Sequence, residues 1–379
     1  MAWNPLPKKH PQKHPRPVEM NAGRAHFARR ASHRHPPLVR SNLVSGYNRQ
    51  RVGSVGRFDY VARRLLKSVA ILLAIVVMNF LLIRLAPGDP ASVIAGEAGA
   101  ADAKYIAQLR EQFGLDRPLT TQLALYVGGV VQFDLGFSYR NQRTVASMVG
   151  ERLPATLLLT VTAFVLAIGI GVGLGVLAAT RVGTWTDSLV TVAALGFYAT
   201  PLFWVGLMAI LLFSVNLGWL PAFGMQTLGS QMSASERAVD VARHLVLPAT
   251  TLAVFFVAIY ARLTRASMLE VQDMDFVRTA RAKGLAPARI LRAHTLRNAI
   301  LPVITFAGIQ AGQLVGGSIV VETVFAWPGI GRLAFEALLQ RDYNLLLGVF
   351  FLTSVMVIAF NLITDLVYSM VDPRIEVGA

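Results

Sequence analysis

The stretch FVRTARAKGLAPARILRAHTLRNAILP, residues 276–302, places a run of cations between two apolar runs of a chain otherwise short of charge. From Arg262 to Arg297 there are eight cations (Arg262, Arg265, Arg278, Arg281, Lys283, Arg289, Arg292 and Arg297) against three acids (Glu270, Asp273 and Asp275). The preceding segment, RLTRASMLEVQDMDFVRTARAKG (262–284), has no proline and reads as one helix. Gly284 stands where a C′ glycine ends a helix. Pro287 stands at the first position of a second helix, about 287–299, where its missing N–H costs nothing. That helix is expected to end before Pro302, so the product is a helix–turn–helix elbow between two apolar runs. Within it Ile290, Leu291, Ala293 and Leu296 interleave with Arg289, Arg292 and Arg297. A helix lying on a membrane surface separates those classes; one docked in a protein groove need not. Positive charge for topology alone explains the arginines but not the glycine turn.

Working outward, the 379 residues are 54% hydrophobic and only 15% charged, with a mean hydropathy of +0.52. Several windows exceed the roughly 18–20 apolar residues that cross a bilayer, so the chain reads as an all-α polytopic membrane protein. It has no cysteine, which excludes disulfides and cysteine-ligated metals. Of the net charge of +15, residues 1–64 supply +12, from fourteen Lys/Arg against Glu19 and Asp59.

Residues 1–57 hold seven prolines, five of the seven histidines and no apolar run. Such a segment cannot bury enough surface to offset its ordering entropy, and it reads as a disordered basic tail. Nothing fixes His10, His14, His33 and His35 into a metal site. The first span lies at about 65–86, within a segment 58–86, and stops at Pro87-Gly88-Asp89-Pro90. A mixed-charge region follows at 87–152, with helical stretches near 102–113 and 119–132. Five more spans are expected at about 154–179, 188–215, 245–263, 301–321 and 345–370, making a five-helix core over 153–370 and a short C-terminus at 371–379. The second span carries Gly169, Gly171, Gly173 and Gly175, which suits close helix–helix approach in lipid. Lys and Arg concentrate on the cytoplasmic side, and only the tail and the 264–300 loop are strongly positive. Both termini and that loop are therefore expected inside, with 87–152 outside; six spans make the parity consistent.

The charges inside spans are few. Arg84, Glu322 and Asp365 fall near span ends, where a charge reaches the interface, and the deeper polar groups are the neutral Asn79, Gln310, Gln313 and Asn361. A carrier driven by an ion gradient normally needs buried ionisable groups. Gln310, Gln313 and Asn361 are candidates for path-lining or interhelical polar residues. No G-x-x-x-x-G-K-[ST] phosphate loop and no H-E-x-x-H motif occurs, and His244 and His294 fall on opposite sides of the membrane in this topology, so no catalytic set is expected.

The elbow resembles the cytoplasmic signature of binding-protein-dependent ABC transporter permeases, E-A-A-x-x-x-G-x₉-I-x-L-P. With its glycine on Gly284, Arg278-Thr279-Ala280 takes the place of E-A-A, His294 of I, Leu296 of L and Arg297 of P. That general consensus is poorly met. The stretch RTARAKGL…RAHTLRNAILP is instead similar to the dipeptide/oligopeptide/nickel branch, in which R-T-A-R-A-K-G-L and H-x-L-R-N-A-x-x-P are usual. RLAPGDP (84–90), FGLDRPLTTQ (113–122), DLGFS (134–138), ERLPATLLLT (151–160), VVETVFAWPGIGRL (320–333) and VDPR (371–374) agree. One departure is Phe133, where the branch often has glycine. The resemblance covers about 58–375.

The resemblance implies six spans in the type I ABC importer permease fold, in the bacterial plasma membrane, forming half of a translocation path for short peptides. A second homologous permease subunit would supply the other half, and an extracytoplasmic substrate-binding protein would deliver the cargo. Two ATP-binding subunits would use ATP and Mg, while this chain binds no cofactor; lipid, and no nucleic acid, completes the partners. The elbow would be the coupling element, seated in a cleft of an ATP-binding subunit: Arg278, Thr279, Ala280, Arg281, Gly284, Arg289, His294, Leu296, Arg297, Asn298 and Pro302. Arg278, Arg281 and Arg289 would meet ATPase carboxylates. The same branch handles nickel complexes and glutathione, and an autonomous, ion-driven secondary transporter or a membrane scaffold using the basic tail are the readings from other classes.

Overall fold

The computed structural model describes residues 57–85, 91, 92, 95, 102–112, 114–229 and 232–371. The basic tail with its histidines, the Pro87–Pro90 stop, the C-terminus beyond Val371 and the side chains of Arg84, Gln313 and Asp365 lie outside the described residues. Helix dominates, in the order α1 (Arg57–Leu85), α2 (Ala103–Gln112), α3 (Leu119–Val131), α4 (Val145–Thr180), α5 (Trp185–Ala199) and α6 (Leu202–Ala209). A π-helical stretch, Ile210–Asn216, extends α6. Then come α7 (Ala234–Gln272), α8 (Asp275–Ala282), α9 (Pro287–Arg289), α10 (Arg297–Val324), α11 (Ile330–Leu339) and α12 (Tyr343–Val371). By length and composition, four helices among the described residues can cross a membrane (within α1, and α4, α7 and α12), or five if α5 and α6 count as one broken span.

Four features depart from the sequence reading. The span read over 188–215 is broken, with α5 and α6 bent by 107°. Pro201 has no N–H and disfavours helical backbone at the residue before it; Thr200 is extended, at φ −87° and ψ 134°. Second, the helix read through 262–283 breaks at Asp273–Met274, where Met274 is extended (φ −72°, ψ 147°) and opens α8. Val271 and Val277 explain the break. On one continuous helix they would lie about 120° apart around the axis, and the bend lets both be buried in the same apolar cluster. Third, Pro302 ends nothing. Helical backbone continues from Pro287 through a second π stretch, Ile290–Leu296, into α10. Proline is tolerated in membrane helices because neighbours and local π adjustments re-satisfy the freed groups; Pro154 and Pro248 likewise lie inside α4 and α7. Fourth, a two-residue antiparallel pair, β1 (Phe137–Ser138) with β2 (Arg143–Thr144), interrupts the all-α pattern. It is tied to the start of α12: Ser138 donates to the Asp342 carboxylate, and Asn344 Nδ2 donates to Phe137 O at 3.0 Å.

The helical stretches expected near 102–113 and 119–132 are α2 and α3. Phe133, just after α3, has φ 58°, the left-handed region that glycine enters freely and other residues enter at a cost of roughly 1–2 kcal/mol. That conformation suits the glycine the resemblance leads one to expect here better than the phenylalanine present.

The core sits where α4, α7 and α10 meet α6, around Leu159, Leu252, Phe256, Tyr260, Phe325 and Trp327. Two of the four glycines between positions 169 and 175 of α4 decide how close α7 comes. A Cβ on Gly171 would lie 2.6 Å from Tyr260 Cβ, and one on Gly175 would lie 2.5 Å from Thr264 Cβ and 2.7 Å from Ala261 O; Gly169 and Gly173 have nothing within 4 Å. The same device recurs between α10 and α12, where a Cβ on Gly308 would fall on Thr364.

Glu322 does not reach the interface. It is fully buried, at 0% exposure, and closes the turn between α10 and α11. Thr156 Oγ1 of α4 donates to its Oε1 at 2.8 Å, and Arg332 N donates to its Oε2 at 2.9 Å; the Gly331 N–H and the Ser318 hydroxyl also donate to it. Ile330 N donates to Thr156 Oγ1 at 2.7 Å. The first three N–H groups of α11, which a helix leaves without internal partners, are thus met from α4 and α10 rather than by a local cap. Negative charge at a helix N-terminus is itself favourable. Glycine is required beside it, since a Cβ on Gly329 would sit 2.2 Å from Glu322 Cδ and one on Gly331 2.7 Å from Ile319 Cα. Trp327 Nε1 completes the joint by donating to Ala155 O at 2.9 Å.

Two predictions follow from these contacts. Gly175→Ala will lower the thermal midpoint of the protein in detergent, by an overpacking cost of about 1–3 kcal/mol, whereas Gly173→Ala will leave it unchanged or slightly raised; equal midpoints would remove the close approach as an explanation. Glu322→Ala, which removes the acceptor of the Gly331 and Arg332 N–H groups, will cost about 3 kcal/mol or more, and Glu322→Gln, which keeps one acceptor oxygen, will cost less. Wild-type midpoints for both would show that the carboxylate does not hold the turn.

Candidate functional site

The elbow is built from a two-sided helix and a glycine stop. In α8, Val277 (0% exposed) and Ala280 (4%) turn inward onto Met268 and Val271 of α7 and Ala179 of α4. Their neighbours Arg278, Thr279 and Arg281 face outward. The helix ends as a Schellman motif: Gly284 N donates to Arg281 O at 3.0 Å, and Leu285 N donates to Ala280 O at 3.3 Å. This needs a left-handed residue at C′, and Gly284 has φ 74°. Nothing lies within 4 Å of where its Cβ would be, so backbone conformation alone demands glycine here. Ala286 caps α9, and Pro287 opens it, as the sequence predicts.

The second arm repeats the division. Ile290, Thr295 and Ala299 are buried, and Leu291, His294 and Leu296 are half-buried, while Arg289, Arg292, Arg297 and Asn298 are exposed. Asn298 Nδ2 donates back to His294 O at 2.6 Å, and Pro302 is exposed one turn further on. Among the described residues Arg281, Lys283, Arg289, Arg292 and Arg297 form no ion pair. Arg278 has one exposed contact, 3.8 Å to Asp275, of a kind worth little. Phe276 and Met274, each 41% exposed, lie among these cations. The elbow is therefore rigid on its inner side and offers an apolar and cationic outer face.

Of the eight cations from Arg262 to Arg297, Arg265 is spent inside the fold. Its Nε and Nη2 donate to the two oxygens of Asp187 at 2.6 and 2.8 Å, and Gly183 N donates to the same carboxylate at 3.1 Å. This bidentate pair joins the start of α5 to α7 across 78 positions, and no sequence spacing could reveal it. Glu322 was equally hidden as a structural group, although its neighbours Gly329 and Gly331 are a signal that something packs closely there.

Of the candidate polar residues whose side chains are described, Gln310 and Asn361 stand in different surroundings. Gln310, 7% exposed, lines a cavity between α5, α7 and α10. Asn361 lies in the α10–α12 contact, its Oδ1 3.5 Å from where a Cβ on Gly312 would be. Among the described residues no group of three or more His, Asp or Glu gathers into a metal site.

Comparison with known proteins matches the chain in two parts. Residues 57–160 match the family described as binding-protein-dependent transport system membrane component, N-terminal, and residues 171–377 match the binding-protein-dependent transport system inner membrane component. The chain is 41% identical over 319 residues to the oligopeptide transport system permease protein AppB of Bacillus subtilis, covering 84% of this chain and 99% of that one. It is 40% identical over 334 residues to the di/tripeptide transport system permease protein DppB of Pseudomonas aeruginosa, covering 84% and 98%. It is 41% identical over 318 residues to the glutathione transport system permease protein GsiC of Escherichia coli O6:H1, covering 84% and 99%. Together with the apolar helices, the glycine contacts and the elbow, these matches show that the chain belongs to the binding-protein-dependent transport system inner membrane components, the permease subunits of ABC importers.

Proposed function

We propose that this chain forms half of the path of an ATP-driven importer of short peptides, and that residues 275–298 couple it to a separate ATP-binding subunit. The outer face of the elbow carries the proposal. Five cations without internal partners, with Phe276 and Met274 among them, stand on a base locked into α4 and α7. A solvated loop has no need of that base, whereas an element that transmits a push does. Arg278, Arg281 and Arg289 are assigned to carboxylates of the ATP-binding subunit, which uses ATP and Mg; this chain binds neither. The peptide cargo rests on the relatives, whose names specify oligopeptides, di- and tripeptides, and glutathione.

The proposed topology has six spans: α1, α4, the broken α5–α6, α7, α10 and α12. At 28 residues, α10 exceeds the ~20 that a bilayer needs. The N-terminal tail and the elbow lie on the cytoplasmic side by their cations, the C-terminus follows by the parity of six spans, and the region with α2, α3 and the β-pair lies outside, where a substrate-binding protein delivers. A second, homologous permease supplies the other half of the path, because one set of six helices lines only one wall. An ion-driven carrier finds no support in the relatives.

Gly284→Val tests the coupling. A β-branched residue at φ 74° is strained by about 1–2 kcal/mol while meeting no steric obstacle. The variant is expected to insert and to retain the second permease, but to lose both ATP-binding subunits on gentle purification and to lose ATP-dependent uptake. Full uptake by Gly284→Val would sink the assignment of the elbow as coupler.

A further inference from the structure

Two cavities flank the contact between α5 and α7. One, of about 410 Å³, is lined by residues such as Ile170, Val190, Phe197 and Val257 and is apolar except for Thr250. The other, of about 660 Å³, opens between α5, α7 and α10 and is chemically different. Phe255, Ile259 and Arg262 form one stripe of α7, facing Tyr198 of α5 and Phe306 and Gln310 of α10. Tyr198 and Phe255 are stacked, with ring centroids 5.2 Å apart.

Two polar groups of this second cavity are without partners among the described residues. Gln310 is 7% exposed, yet its amide makes no hydrogen bond. Arg262 is exposed to the cavity and makes neither a hydrogen bond nor an ion pair. Arg265, one turn on and also in the wall, is held by Asp187 through both oxygens. Two guanidinium groups against one carboxylate leave one positive charge uncompensated, and it belongs to Arg262. Arg262 stands near the end of the apolar run of α7, in the wall of this cavity.

We infer that this cavity is a station on the path of the transported peptide, with Arg262 receiving its terminal carboxylate and Gln310 a backbone amide. The inference rests on the peptide-importer reading given above. A guanidinium matches the two oxygens of a carboxylate in a bidentate fork. A buried amide offers both a donor and an acceptor, as a peptide group requires. The aromatic walls accept varied side chains without selecting among them. The volume falls within the roughly 300–1,000 Å³ of small-ligand sites. A lipid tail would require none of these polar groups, and the neighbouring apolar cavity shows what a site without them looks like.

The test uses the complete transporter, with its partner subunits and binding protein, reconstituted in vesicles. Uptake of labelled dialanine is compared with that of its C-terminal amide for wild type, Arg262→Gln and Arg262→Lys. Because the binding protein is the same throughout, the change in the acid-to-amide ratio reports on this chain. Arg262→Gln is expected to lower that ratio about tenfold, the scale of one lost charge-assisted hydrogen-bonded contact, and Arg262→Lys to restore part of it. An unchanged ratio, whether uptake of both falls together or neither falls, overturns the inference and leaves Arg262 as an orienting charge. A ratio change that vanishes in vesicles of neutral phosphatidylcholine overturns it in favour of an anionic lipid headgroup. Wild-type transporter that moves neither compound overturns the peptide reading itself, and this inference with it.

Discussion

The approach of α4 to α7 at Gly171 and Gly175 is the contact that the rest of the structure uses. In lipid there is no hydrophobic gain from bringing two apolar helices together, so packing and interhelical polar contacts must supply the stability. Removing side chains from one face of α4 lets Tyr260, Ala261 and Thr264 of α7 come in to backbone distance. Beyond that contact, the two helices run on side by side toward their C-terminal ends. There Ala179 of α4 and Met268 and Val271 of α7 form the floor on which α8 is seated. At the other end of α4, Thr156 reaches the Glu322 carboxylate and the first turn of α11. One closely packed pair therefore fixes both the elbow and the joint between α10 and α11.

Charge is placed in the protein by the same economy. Asp187 and Arg265 are paired, and Glu322 is met by backbone and hydroxyl donors, so neither carboxylate is left uncompensated. Cations without an ion pair among the described residues stand on the outer face of the elbow and in the wall of the 660 Å³ cavity. The buried charges that are satisfied hold the fold, whereas these exposed cations do not.

The prolines show how the membrane changes ordinary sequence grammar. Pro201 breaks a span, as it would in a soluble helix, because it follows a residue driven into extended backbone. Pro154, Pro248 and Pro302 lie within continuous helices. The difference is not visible in the residue itself; it depends on whether neighbouring helices supply the packing that offsets one lost hydrogen bond.

Much was legible in the chain alone. The apolar runs disclose a polytopic membrane protein because nothing else tolerates their length, and Gly284 with Pro287 discloses the elbow because a Schellman turn and a helix start are local, few-residue events. The outward cations of that elbow follow from its composition. Other features were decided only in three dimensions. Gly171 and Gly175 are indistinguishable by sequence from Gly169 and Gly173 until α7 is in place. Val271 and Val277 fit one continuous helix until both must be buried on the same floor. Glu322 reads as an interfacial charge until Thr156, 166 residues away, turns it inward, and Arg262 reads as one more orienting arginine until Asp187 claims its neighbour. Local backbone preferences and hydropathy are properties of short segments, and a sequence states them directly. Which face is buried, and which charge is left without a partner, are properties of pairs of segments, and only the packed chain decides them.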